Sequence, residues 1–152
     1  MNRLFLVLVV AGQRVALEAS RVESVVELDE LTPVPGVAPH IAGLAALRSR
    51  VLTAIDPHVL LGSARAPDGV REAVVIDVDG HPYAMLVDSV HDVVEASGEP
   101  LPLRTALHPD WSRLSAGLVD VDGEVMIRLD VDAVLAGSGN GATVSALSTI
   151  AA

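Results

Sequence analysis

The sequence predicts an all-β domain made of two similar five-stranded barrels packed around a shared core. Two observations predict it: an internal duplication, and short Val/Ile/Leu-rich runs punctuated by Gly, Pro, Asp and Ser. In the duplication, residues 12–27 align without gaps on residues 80–95, so Val22, Val25 and Val26 fall on Val90, Val93 and Val94. Further on, Ala42-Gly43-Leu44 matches Ala116-Gly117-Leu118, and Val51–Asp56 matches Val125–Asp130. A unit repeated only twice implies two paired subdomains rather than a solenoid, which needs three or more copies.

Ten strands are expected, five per copy: 3–10, 14–19, 22–28, 40–47 and 51–55, then 72–78, 82–87, 90–95, 114–121 and 124–129. Leu4–Val10 and Ala73–Val78 are nearly continuous in apolar residues, as strands buried on both faces are. Residues 11–14 and 79–82 read as hairpin turns. Asp122-Gly123 is a strong two-residue turn, with Arg48-Ser49 as its counterpart in the first copy. In the run 90–95, Val93 is expected to face inward. Five short antiparallel strands close readily into a small barrel, which removes exposed edges.

Each copy ends in a short helix. Asp56-Pro57 through Gly62 offers an N-cap carboxylate, a proline in the first turn and a glycine past the end. Asp130 through Gly137 repeats the pattern without the proline. The expected organisation is one domain over 1–136, with subdomains at about 12–62 and 72–136 and strand 3–10 completing the core. Residues 63–71 read as a linker, and 137–152 as a flexible tail or weak helix.

Charge narrows the function. The 152 residues carry a formal net charge of −10. Residues 1–66 hold six Arg and six acidic residues, whereas 67–152 hold four Arg and fourteen acidic residues. Such a chain repels phosphate backbones, so nucleic acid is not an expected partner. Cysteine is absent, which excludes disulfides, thiolate metal sites and thiol nucleophiles. The apolar run after Arg3 imitates a short signal segment, but its counterpart mid-chain reads as a strand, and so does it. No apolar stretch approaches the ~20 residues of a membrane span, so no membrane insertion is expected.

Catalytic and metal motifs are weak. Asp56 and Asp130, at equivalent positions of a duplicated β protein, are the one pair that suggests a small hydrolase with a shared-proton dyad. Both read better as helix caps. Asp-Val-Asp recurs at 77–79, 120–122 and 130–132 without the further ligands of a calcium loop, and reads as solvated strand face. His40, His58, His81, His91 and His108 lack metal spacing and read as loop or surface residues. Trp111 reads as a packing anchor. No catalytic residue, metal or cofactor is expected.

The segment that asks for a function is Gly43-Leu-Ala-Ala-Leu-Arg48-Ser49-Arg50, which puts Arg at a hairpin tip in the half of the chain that is not acidic. Continued to Asp56, it resembles the signature of the CheW-like chemotaxis coupling family: Gly, two apolar residues, Asn-Leu-Arg-Gly, an apolar strand with Pro, and a closing Asp-Leu. Leu31-Thr-Pro-Val-Pro35 resembles the loop before that block. Ala84-Met-Leu-Val-Asp88-Ser-Val-His-Asp-Val is similar to the family's Gly-Leu-Leu-Val-Asp-x-Val-x-x-Val, and Gly117 through Leu135 fits its closing hairpin and helix. The resemblance spans about residues 3–136. It implies two SH3-like barrels and no catalysis. It further implies a cytoplasmic adaptor, recruited to membrane-associated receptor arrays, that binds chemoreceptor signalling tips and the regulatory domain of a CheA-type histidine kinase. The residues it places in the receptor-facing region are Gly43, Leu47, Arg48 and Ser49, with Val22 nearby. A divergent module in another chemosensory-type pathway, such as motility, pili, development or polar localisation, would share all of this physics. Ala46, Ser49 and Ala54 depart from the family's Asn, Gly and Pro, and Ser49 takes a position suited to positive φ.

Overall fold

The computed structural model describes residues 2–62, 71–97, 101 and 108–137. The expected tail beyond Gly137 and residues 63–70 of the linker expected over 63–71 lie outside the described residues, and Arg71 belongs to a strand instead. All ten expected strands form: β1 (Asn2–Val10), β2 (Gln13–Glu18), β3 (Ser24–Leu28), β4 (Ile41–Leu47), β5 (Arg50–Ile55), β6 (Arg71–Val78), β7 (His81–Val87), β8 (Ser89–Ser97), β9 (Ser115–Val121) and β10 (Glu124–Leu129). Three short helices accompany them: α1 (Pro57–Leu60), α2 (Pro109–Arg113) and α3 (Val131–Ala136), with a 3-10 turn at Ala19–Arg21. The sequence reading had no place for α2, a single turn started by Pro109.

Two five-stranded sheets result, in the orders β8-β1-β2-β10-β9 and β3-β6-β7-β5-β4. Replacing each strand of the first order by its counterpart in the other copy reproduces the second order. The register obeys the same rule: β10 runs parallel to β2 with Ile127 opposite Val15, and β5 runs parallel to β7 with Thr53 opposite Tyr83. The barrels do not, however, follow the copy boundaries. The first takes β1 and β2 from copy one and β8, β9 and β10 from copy two, and the second takes the complement. This corrects the partition into subdomains at 12–62 and 72–136: the repeat unit and the barrel are different objects, because the chain changes sheets after β2 and again after β7.

Burial explains the exchange. Along β1, Phe5 and Val7 point into the first barrel with Ala16, Val119 and Met126, while Leu6, Leu8 and Val10 point into a central cluster. Along β6, Ala73 and Val75 fill the second barrel with Leu28, Leu52 and Leu86, while Val74 and Ile76 join that same central cluster. Alternate side chains of a strand leave opposite faces, so both strands are buried on both sides and carry unbroken apolar runs. The central cluster also receives Val131, Val134 and Leu135 from α3 and Leu114 from the end of α2, and Trp111 packs against it, as an anchor should.

Turn chemistry closes the hairpins. Ala11-Gly12, Asp79-Gly80 and Asp122-Gly123 each have positive φ at both central positions, the type I′ geometry that matches the twist of paired strands. The first Asp of two Asp-Val-Asp motifs accepts the amide of the turn glycine: Asp77 Oδ1 from Gly80 N and Asp120 Oδ1 from Gly123 N, both at 2.8 Å. These carboxylates therefore serve the turns, beyond simple solvation of a strand face. The third motif splits differently, with Asp130 capping α3 and Asp132 pairing with Arg21. That ion pair raises the Arg21 guanidinium and lowers the Asp132 carboxyl, mainly through the hydrogen bonds they share.

Two facing expectations are corrected. Val93 is 57% exposed, because β8 is an edge strand paired only with β1 and turns Val93 to solvent. His40 lies in the loop before β4, as expected, but is buried there rather than exposed: its Nε2 lies 3.2 Å from the Leu135 carbonyl at the end of α3, and its ring fills the space beside Gly137. Desolvation pushes the His40 imidazole down, partly opposed by that carbonyl. Burial likewise lowers His81, opposed by Asp77.

Val93→Asp should consequently change stability by no more than about 0.5 kcal/mol, whereas Leu8→Ala in the central cluster should cost about 2–5 kcal/mol. Denaturant titration of the two variants checks this ranking. A histidine held neutral in the fold takes up a proton more readily when unfolded, so its contribution is present at neutral pH and lost as pH falls below 6.5. His40→Gln should therefore flatten the decline in melting temperature between about pH 7 and about pH 5 relative to the parent protein.

Candidate functional site

The β4–β5 hairpin carries most of the residues singled out from sequence. Leu47 and Arg50 pair across it, leaving Arg48 and Ser49 as a two-residue loop. Only Arg48 has positive φ, at 58°, which is the pattern of a type II′ turn. This corrects the expectation that Ser49 bears the strained position: here the arginine does, and Ser49 has an ordinary backbone. Arg48 and Ser49 are exposed, whereas Leu47 is half-buried against the interior of the second barrel. Among the described residues Arg48 forms no ion pair, so its five donors face solvent. Arg50 is committed instead, with Nη1 2.8 Å from Glu23 and Nη2 3.9 Å from Asp77, and Glu23 raises its guanidinium.

The Arg50–Glu23 pair also brings Val22 to this region, since it ties the segment just after Val22 to the base of the hairpin. Val22 is half-buried beside the central cluster. Gly43 belongs to the same strand but not to the tip. It has φ of 146°, and a Cβ there would sit 2.5 Å from the Thr32 carbonyl oxygen. Thr32 bridges Leu44 through two backbone hydrogen bonds of 2.8 Å, so Gly43 is needed for the close approach of the loop before β4. Its counterpart Gly117 also has positive φ and lies beside the equivalent bridge of Leu101 to Leu118. The structure thus holds Leu47, Arg48 and Ser49 at one hairpin tip, sets Val22 next in sequence to the Glu23 that pairs with Arg50, and assigns Gly43 to the backbone behind the hairpin. Sequence reasoning missed Val51, 42% exposed and opposite Ala46 on the outer face of this hairpin. A valine at the second position of a strand gave no signal of its own.

The alternative catalytic pair has other duties. Asp56 Oδ1 accepts the His58 amide at 3.1 Å and Asp130 Oδ1 accepts the Ala133 amide at 3.2 Å, so each carboxylate caps its helix as the capping reading expected. Among the described residues no group of three or more His, Asp or Glu side chains is placed to hold a metal ion. No described helix is long and apolar enough to cross a membrane.

Known proteins fit this geometry. The CheW-like domain family matches residues 4–138, which is the whole two-barrel unit. The chain belongs to the CheW-like domain family. It is 28% identical over 123 residues to the chemotaxis protein CheW of Thermotoga maritima, covering 81% of each chain. Its fold is similar to the crystal structure of the scaffolding protein TtCheW from Thermoanaerobacter tengcongensis, with a TM-score of 0.74, 22% identity, and coverage of 89% of this chain and 93% of that one. These likenesses agree with the all-β class, the two curled sheets and the family resemblance read from the sequence. They bring nothing in favour of the hydrolase reading.

Gly43→Ala should destabilise this CheW-like fold by about 1–3 kcal/mol, since the added methyl must displace backbone. Arg48→Gly should do the opposite, gaining up to about 1 kcal/mol by relieving the positive φ. Chemical denaturation of both variants checks the assignment, and a loss of stability in Arg48→Gly would mean that the turn depends on the arginine side chain.

Proposed function

We propose that this protein is a non-catalytic chemotaxis adaptor that joins chemoreceptor signalling tips to the regulatory domain of a CheA-type histidine kinase. The observation that carries the reading is the family match across the entire two-barrel unit rather than one motif within it. The coarser statement, membership in a family whose relatives are named for chemotaxis and scaffolding, supports it directly. Adaptor work asks for surfaces, not for reacting groups, and the carboxylates that might have reacted are engaged as caps.

On this reading the receptor-facing region is the β4–β5 hairpin with Val22 beside it. Arg48 supplies an uncommitted planar fork at the rim, suited to carboxylates or carbonyls of a helical tip. Exposed apolar positions beside it supply the area against which the apolar face of a helix packs. The kinase domain would meet apolar strand positions of one barrel. The departures at Ala46 and Ser49, both exposed, favour a receptor surface of its own kind, so a related module of another chemosensory-type pathway is the second reading.

The test is a titration of the purified protein against a receptor signalling tip and against the kinase regulatory domain. Binding to both is expected, with Arg48→Glu weakening the receptor by about ten-fold or more and leaving the kinase unchanged. Kinase binding without receptor binding would move the protein to the second reading. Binding to neither would overturn the adaptor reading, and equal receptor affinity in Arg48→Glu would remove Arg48 from the site.

A further inference from the structure

The chain changes sheets at two equivalent places, and a contact between two ionisable side chains pins each crossover to the short helix that closes the other copy. After β2, at the 3-10 turn, Arg21 sets Nη1 3.0 Å and Nη2 2.8 Å from the two carboxylate oxygens of Asp132 on α3. Between β7 and β8, Asp88 Oδ1 lies 2.8 Å from Nε2 of His58 on α1. The other ring nitrogen of His58, Nδ1, lies 3.0 Å from Asp56 Oδ1. Asp88 Oδ2 accepts the Gly12 amide at 2.8 Å, and the Asp88 amide donates to the Val9 carbonyl at 2.8 Å. One chain of bonds therefore links α1, the β7–β8 crossover and the β1–β2 turn. When the two copies are aligned, His58 falls on Asp132 and Asp88 falls beside Arg21, so the basic and the acidic partner have exchanged places between the two pins.

The two pins differ in their chemistry. A guanidinium keeps its charge throughout the range in which proteins are folded. An imidazole between two carboxylates does not. A carboxylate only accepts, so each ring nitrogen must carry a hydrogen to bond to one, and the neutral ring carries a single hydrogen. We propose that His58 is a proton-dependent pin: with both ring nitrogens protonated it bridges Asp56 and Asp88, and loss of the Nε2 proton to solvent leaves the remaining hydrogen on Nδ1 with Asp56 of its own helix turn, releases Asp88, and loosens the β7–β8 crossover with the β1–β2 turn. The Arg21–Asp132 pin stays closed under the same change. Among the described residues, the ionisable groups within ion-pair distance of the ring are Asp56 from the start of its own helix and Asp88 from the crossover. The β1–β2 turn adds only the uncharged Gly12 amide.

His40 and His81 are held towards the neutral form and contribute at higher pH. A global melting curve would mix their contribution with any change at His58, so a local measurement is needed.

The experiment is amide hydrogen exchange on the full chain at about pH 6 and about pH 8.5, read as protection factors so that the intrinsic pH dependence divides out. Protection at Gly12 and Asp88 should fall by about ten-fold at the higher pH, while Val22 and Ala133 beside the arginine pin stay constant. His58→Gln, which cannot titrate, should abolish the difference. Equal protection of Gly12 at both pH values, or a difference that persists in His58→Gln, would overturn the proposal. Nitrogen-15 spectra of the His58 ring in the unmodified protein give a check that needs no variant. Two protonated ring nitrogens at about pH 6 support the bridge, and a singly protonated ring there sinks it.

Discussion

Everything in this molecule depends on two strands that are buried on both faces. β1 and β6 each divide their side chains between the interior of a barrel and the cluster between the barrels. Neither barrel can form its inner wall without also supplying one side of the central core. Removing either strand from water on both faces buries far more apolar surface than a half-exposed strand would, at roughly 25 cal/mol per Å². The two barrels are accordingly one cooperative unit, and the exchange of strands between repeat copies makes that unity topological as well as energetic.

The polar residues near the core are placed to end elements rather than to react. Asp56 and Asp130 cap helices, Asp77 and Asp120 cap hairpin turns, and Asp88 receives the Gly12 amide at a third. Each of these carboxylates satisfies a backbone donor that chain reversal would otherwise leave without a partner. A large share of the protein's acidity thus has local structural work, and the excess negative charge of the second half is partly the cost of making tight turns.

Symmetry of the backbone is not symmetry of the surface. The β4–β5 and β9–β10 hairpins are topological equivalents, yet one presents Arg48-Ser49-Arg50 and the other Asp122-Gly123-Glu124. The second uses an Asp-Gly turn that suits positive φ, while the first holds an arginine at φ of 58°. Aspartate tolerates that region because its short side chain bonds locally, whereas arginine has no such relief and carries strain there. Duplication supplied one scaffold twice, and the exposed positions of the two hairpins then diverged.

How much of this was legible in the sequence follows from which signals are local. Strand positions, the helix caps at Asp56 and Asp130, the I′ turns and the duplication are set by residues within a few positions of each other, so the all-β class and ten strands were determined by the sequence itself. The family pattern also marked Arg48 and its neighbours. The facing of Val93, the burial of His40, the positive φ of Arg48 rather than Ser49, and the reason for Gly43 were decided by contacts with residues far along the chain: edge placement of β8, the Leu135 carbonyl, the register of the hairpin and the Thr32 carbonyl. The exchange of strands belongs with them. A repeat shows which segments are alike, but two equivalent copies pair as well with each other's strands as with their own. Only burial of β1 and β6 on both faces, which exists once the two sheets are packed, decides between those arrangements.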